Sequence, residues 1–270
     1  MTKVSVLASG LHIPESPRWH RGALHFVDGP SVHRLSADGS VEVVVSVECP
    51  ILLGLDFASD GSILTNDAAG RRTMRVAPDG SVSVVADLSN LAATMLNEVT
   101  LLEDGSMFVG EIGFDVIAGA PPETVQLLYV KPDGTASRVG PQIAFANGMT
   151  DAPGGNGFYV AEFVEGAIWH VDTSTADPVF TRAVAGVGMG VDGIAIGPDE
   201  KLWYANMLGG QLYELDADGR KTREIATGFP HATSLAFAPD FSRVFATVVE
   251  QLPSPETMGL ATGAVVAIDL

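Results

Sequence analysis

The sequence predicts an all-β fold: a six-bladed β-propeller spanning residues 1–270 as one domain, its ring closed by the N-terminal strand joining the last blade. Three observations carry this. First, one layout recurs: an apolar strand, a turn rich in Asp, Pro and Gly, then a strand of aromatic and β-branched residues. It appears as ESPRWHRGALHFVD (15–28), GLDFASDGSILTND (54–67), NEVTLLEDGSMFVGE (97–111), NGMTDAPGGNGFYVAE (147–162), VDGIAIGPDEKLWYAN (191–206) and TSLAFAPDFSRVFAT (233–247). Second, a further hairpin follows most copies, with Asp-Gly pairs at 38–39, 79–80, 133–134 and 218–219, the chemistry of a tight turn. Third, six units of about 45 residues with four strands each match the period of a propeller.

The elements follow in order. The first unit adds RLSADGSVEVVV (34–45) to its inner hairpin, the second RVAPDGSVSVVA (75–86) and the third YVKPDGTASRVG (129–140), after an insertion at 112–126. The fourth carries the degenerate hairpin HVDTSTADPVFT (170–181), and the fifth ELDADGRKTREI (214–225). That degenerate copy explains why Gly134 and Gly219 lie 85 residues apart, two repeats, whereas Gly39 and Gly80 are 41 apart. The chain ends in GAVVAIDL, which supplies only a third strand for the sixth unit. KVSVLA near the N-terminus is then expected to be its outermost strand, since an open ring would expose two sheet edges. No stretch sustains a helical period, which disfavours an α/β fold.

Composition narrows the function. Lys and Arg number 15 against 33 Asp and Glu, a formal charge of −18. Without a basic cluster a nucleic-acid partner is not expected. Cys49 is the single cysteine, so neither an intramolecular disulfide nor a thiolate zinc site is available. The first residues lack the apolar core of a secretion signal, and no apolar run approaches the ~20 residues of a membrane span. The expectation is a cytoplasmic protein without a membrane partner, a monomer or weak homo-oligomer, acting on a small molecule.

Asp192 is the residue that raises the functional question, a carboxylate at the mouth of a strand that is otherwise apolar. Aligning the units on their second strands brings Glu15, Gly54, Asn97, Asn147, Asp192 and Thr233-Ser234 to equivalent places. In a propeller these positions converge on the axis. Four of the six carry carboxylate or amide oxygen. Taken singly, each could be a loop cap. As a ring, two carboxylates among apolar walls repel unless a cation or a proton lies between them, and the set suits a hard cation such as Ca²⁺, Mg²⁺ or Mn²⁺.

The same residues carry a family resemblance. GLHIPESPRW, FANGMTDAPGGNGFYVAE, VDGIAIGPDEKLWYANMLGGQLYELDADG and ATSLAFAPDFSRVFATV, in this order, resemble the motifs of the SMP-30/gluconolactonase/luciferin-regenerating enzyme-like family over essentially the whole chain. The resemblance implies one divalent metal ion, Ca²⁺ first with Mg²⁺, Mn²⁺, Zn²⁺ or Fe²⁺ as alternatives. It implies Glu15, Asn147 and Asp192 as ligands, Asp192 as the catalytic base, and Asn97 facing metal and substrate. The third unit departs from the pattern. Met95 stands where sugar-lactonase relatives have Arg, Glu98 stands where Asp is usual, and Asp115 falls near an acidic substrate-contacting position. Met95, Met149 and Phe114 read either as ordinary core and loop residues or as the lining of a less polar pocket. His231 lies just before the sixth mouth, where a structural and a substrate-lining role are both open, whereas His12, His20, His25, His33 and His170 read as structural.

The expected activity is metal-dependent hydrolysis of a lactone, either a sugar lactone or a less polar cyclic ester. The alternatives are a ring-opening lyase or a phosphotriesterase on the same site, and a non-enzymatic calcium-binding propeller. GMGVDG (188–193) matches a dinucleotide fingerprint but enters a strand rather than a helix, which sets that reading aside.

Overall fold

The computed structural model describes residues 3–36, 39–257 and 259–270. Six four-stranded antiparallel sheets are arranged as the blades of a propeller. Their innermost strands are Glu15–His20, Leu52–Phe57, Leu96–Leu101, Ala146–Asp151, Val191–Ile196 and His231–Phe237. Each of these packs against the innermost strand of the next blade, and the sixth returns to the first. In the sixth blade Gly263–Asp269 is the third strand and Val4–Leu11 the outermost, paired antiparallel from Val4 opposite Ile268 to Leu11 opposite Gly263. The N-terminal strand therefore closes the ring. No helix among the described residues is long and apolar enough to cross a membrane.

Propeller cores differ from those of single-layer domains because each sheet has two faces to cover. Among the described residues the buried apolar side chains form six clusters, one at each blade-to-blade interface. Between blades five and six, Trp203 and Leu212 meet Leu235, Val244 and Val266. Between blades six and one, Phe245 and Val265 meet Leu24 and Phe26, with Leu11 of the closing strand alongside. This is why inner-strand sequences read as nearly continuous apolar runs rather than strict alternation.

The Asp-Gly hairpins use three-residue loops. At 77–81 the Ala77 carbonyl accepts from Gly80 N–H at 2.8 Å, the Ala77 N–H reaches Ser81 O at 2.9 Å, and Gly80 takes φ 84°. Glycine tolerates that left-handed position and a residue with a Cβ resists it. The hairpins at 131–135 and 216–220 repeat the pattern. In the fourth, Asp38 lies outside the described residues.

Candidate active site

All six innermost strands share one irregularity. Each has a register shift in its first half, at Glu15/Arg18, Leu53/Leu55, Leu96/Val99, Ala146/Met149, Val191/Ile194 and Ala232/Ser234. A bulge re-aims side chains and frees backbone groups. Here Glu15 borders the first bulge, while Asn97, Asn147 and Asp192 lie within theirs. Buried side chains satisfy the carbonyls in and beside the bulges: Thr65 donates to Gly54 O, Asn66 to Asn97 O and Thr233 to Pro14 O, just before the first strand, each at 2.7 Å. The strands crowd so closely at the axis that a Cβ on Gly148 would stand 2.6 Å from the Ile194 nitrogen, and one on Gly193 would strike Ser234. The glycines after Asn147 and Asp192 are there for space.

The bulges open into a cavity of about 270 Å³ lined by Glu15, Asn97, Asn147 and Asp192 together with thirteen apolar side chains. Asp192 is only 2% exposed. Its carboxyl is held well above the usual range, first by burial and then by the nearby Glu15 and Glu98 carboxylates, while a hydrogen bond from Asn147 opposes the shift. Glu15 is part-buried and accepts from Ser16 N–H at 3.1 Å. Enclosure and Glu98 push it up to about 8. In the absence of a cation, then, both carboxyls hold a proton more readily than free carboxylates do.

Among the described residues no three His, Cys, Asp or Glu side chains converge into a metal cluster. The axial set has two carboxylates and is completed by two carboxamides. Among the described residues the lining contains neither imidazole nor thiolate. An all-oxygen donor set under mutual repulsion fits a hard divalent cation such as Ca²⁺, Mg²⁺ or Mn²⁺ better than Zn²⁺ or Fe²⁺.

The family profile described as the SMP-30/Gluconolactonase/LRE-like region matches residues 13–250. The chain belongs to this family. A pentonolactonase, XacC, from Haloferax volcanii is 26% identical over an alignment covering 100% of this chain and 95% of that protein. Of solved structures, a luciferin-regenerating enzyme superposes with a TM-score of 0.80 at 18% identity, covering 100% of this chain and 96% of that one. Regucalcin from Agrobacterium tumefaciens, described as a calcium-binding protein, superposes at 0.78 and 18% identity, covering 99% and 95%. At such identities the structural likenesses speak for the fold.

Within this SMP-30/gluconolactonase-family propeller, five of the expected site residues line one cavity: Glu15, Met95, Asn97, Asn147 and Asp192. Three do not. Glu98 turns away along its strand: one oxygen accepts from Leu55 N–H at 3.0 Å and the other pairs with Arg18 at 3.1 Å. Asp115 is exposed and caps its own loop through Ala118 N–H, while its neighbours Val116 and Ile117 reach the cavity. His231 holds the Met207 carbonyl at 2.7 Å. A carbonyl only accepts, so Nδ1 carries the proton, and it is Met207 that lines the wall. Met149 packs into the interface between blades three and four, and Phe114 backs Phe145, their ring centroids 5.9 Å apart.

Two groups were missed in the sequence. One is the aromatic wall of Phe145 and Phe163, with centroids 5.0 Å apart; Phe145 holds a left-handed φ of 65° immediately before the fourth mouth. The other is a set of buried carboxylates at the ends of the second strands. Asp28 accepts from His12 and Ile13 N–H, Glu111 from Ala93 and Thr94 N–H, and Glu162 from Ala144 N–H. Each pins the loop that delivers the site residue of its own blade. The signal was available, because the repeats at 15–28, 97–111 and 147–162 all end on an acidic residue.

Proposed function

We propose that this protein is a divalent-cation-dependent hydrolase that opens a lactone with water. The observation that carries the reading is the meeting of Glu15, Asn97, Asn147 and Asp192 in one otherwise apolar cavity at the axis. The similarity to a pentonolactonase along the full chain supports it. Glu15, Asn147 and Asp192 would hold the cation, which when bound polarises a carbonyl and acidifies water.

The chain's own groups do the rest. The Asn147 amide donates to Asp192 and so favours its ionised form, which takes the proton of the attacking water. The water oxygen adds to the carbonyl carbon, the ring C–O bond breaks, and the ring oxygen leaves as a hydroxyl with that proton. The product is a hydroxy acid. Asn97 donates to Ala146 O at 3.1 Å, which fixes its carboxamide at the cavity wall, where it orients the lactone. The apolar walls exclude competing water.

The test is hydrolysis of a γ-lactone in ¹⁸O-water. One labelled oxygen in the product carboxylate is expected, whereas an unsaturated, unlabelled product would mean elimination and overturn the reading. Asp192→Ala should lower kcat by roughly 100- to 10,000-fold, the range of a lost acid–base group, with an unchanged β-sheet spectrum. Near-normal turnover by cation-saturated Asp192→Ala would remove Asp192 from its assigned role.

A further inference from the structure

We infer that the lactone opened here carries an apolar body: an alkyl or aryl substituent on the ring rather than a row of hydroxyls. This rests on the hydrolase reading above and names its substrate class. Among the described residues, the polar side chains of the cavity all belong to the four axial residues, and the other thirteen lining side chains are apolar. The backbone of the wall is engaged as well. Met95 O accepts from Ile112 N–H at 3.0 Å, Phe145 O from Phe163 N–H at 3.0 Å, and Phe163 O from Gly190 N–H at 2.9 Å. Met207 spends its N–H on Gly190 O at 3.0 Å and its carbonyl on His231 at 2.7 Å. The nearby charged candidates, Glu98 and Asp115, are committed elsewhere.

A sugar lactone would thus press several hydroxyls against surfaces with nothing to offer them. Each hydroxyl buried without a partner costs roughly 5- to 160-fold in kcat/KM. Apolar surface at the rim points the same way: Leu208 and Leu252 line the cavity and are 45% and 39% exposed. Exposed leucines at the mouth of an apolar pocket are covered when an apolar ligand sits there. The ester end then lies on the axial oxygens and the substituent on Phe145, Phe163 and Leu208. The volume of about 270 Å³ is at the small end for ligand clefts, which suits one ring with a short substituent.

The experiment compares kcat/KM of the cation-loaded protein for γ-butyrolactones bearing methyl to hexyl groups at the γ-carbon with that for an aldono-γ-lactone. The value should rise about fourfold per methylene over the first carbons and exceed the aldonolactone by at least about tenfold. Leu208→Ser should flatten that rise. An aldonolactone turned over as well as or better than the alkyl series overturns the inference while leaving the hydrolase reading intact, and an unaltered slope in Leu208→Ser overturns it too. Failure of every lactone to open removes the hydrolase reading instead. Calorimetric binding of a γ-alkyl lactam against a polyhydroxylated lactam then decides the pocket's preference: tighter alkyl binding with a negative heat-capacity change supports it, and tighter polyhydroxyl binding overturns it.

Discussion

Asp192 sits where burial and two neighbouring carboxylates all oppose its charge. A site that accepts such a cost in the empty state draws binding free energy from whatever relieves it, and a divalent cation does so directly. Away from the axis, His25 shows the same physics with the opposite sign. It is buried, its Nδ1 has no hydrogen-bond partner, and its ring lies edge-on to Phe57. Burial, then the neighbouring His20, lower it to about 4. The unfolded chain binds a proton here below about 6.5, and the folded chain does not until about 4. Through His25, stability should therefore fall as pH drops from about 6.5 to about 4, this contribution being constant below. Urea denaturation across that window checks it, and His25→Phe should shrink the slope. An unchanged slope in the variant would show that His25 titrates normally in the folded state.

At the scale of the strand, the bulge decides what faces the cavity. A period-two strand would send neighbouring residues to opposite faces of the sheet in a predictable alternation. The sequence could therefore place Asn97 and Glu98 together at a blade mouth. It could not say that the bulge aims Asn97 at the cavity and Glu98 at Arg18 and the inner strand of the preceding blade. Asp115 and His231 were misplaced for a related reason: both sit on or beside loops, where spacing fixes nearness but not direction. The glycines of the bulges are as demanding as the oxygens. Gly148→Ala puts a methyl 2.6 Å from the backbone nitrogen of Ile194, and backbone cannot step aside as a flexible side chain can. A loss of ~1–3 kcal/mol is expected, read as a lower urea midpoint at unchanged m-value, together with weaker cation binding because Asn147 and Asp192 flank the contact. A midpoint equal to the parent's would show that the axial strands have room to part.

For the whole molecule, periodicity made the fold legible. Six copies of one hairpin and an incomplete last blade leave few topologies, and the strand at Val4–Leu11 fills the vacancy. Deleting residues 1–9 should destabilise the entire propeller rather than one blade, because it uncovers the edge of Gly263–Asp269 and strips apolar cover from the interface between blades six and one. If about 3 kcal/mol is lost, Tm falls by roughly 6–12 °C in one cooperative transition. An unchanged Tm would contradict closure by that strand. The apolar cavity was less legible than the ring, since Phe145 and Phe163 flank the inner hairpin of the fourth blade and Met207 and Leu208 follow that of the fifth, and strand pairing and blade packing bring these connecting segments to one wall.

The proposed role of the axial oxygens is to hold a divalent cation needed to open a lactone. It is tested most directly by following acid release from a γ-lactone with protein stripped by a chelator, then titrated with Ca²⁺, Mg²⁺ or Mn²⁺. Turnover is expected to be lost on stripping and to return, saturating at one cation per chain. Full turnover by the stripped protein, in the continued presence of chelator, would contradict it.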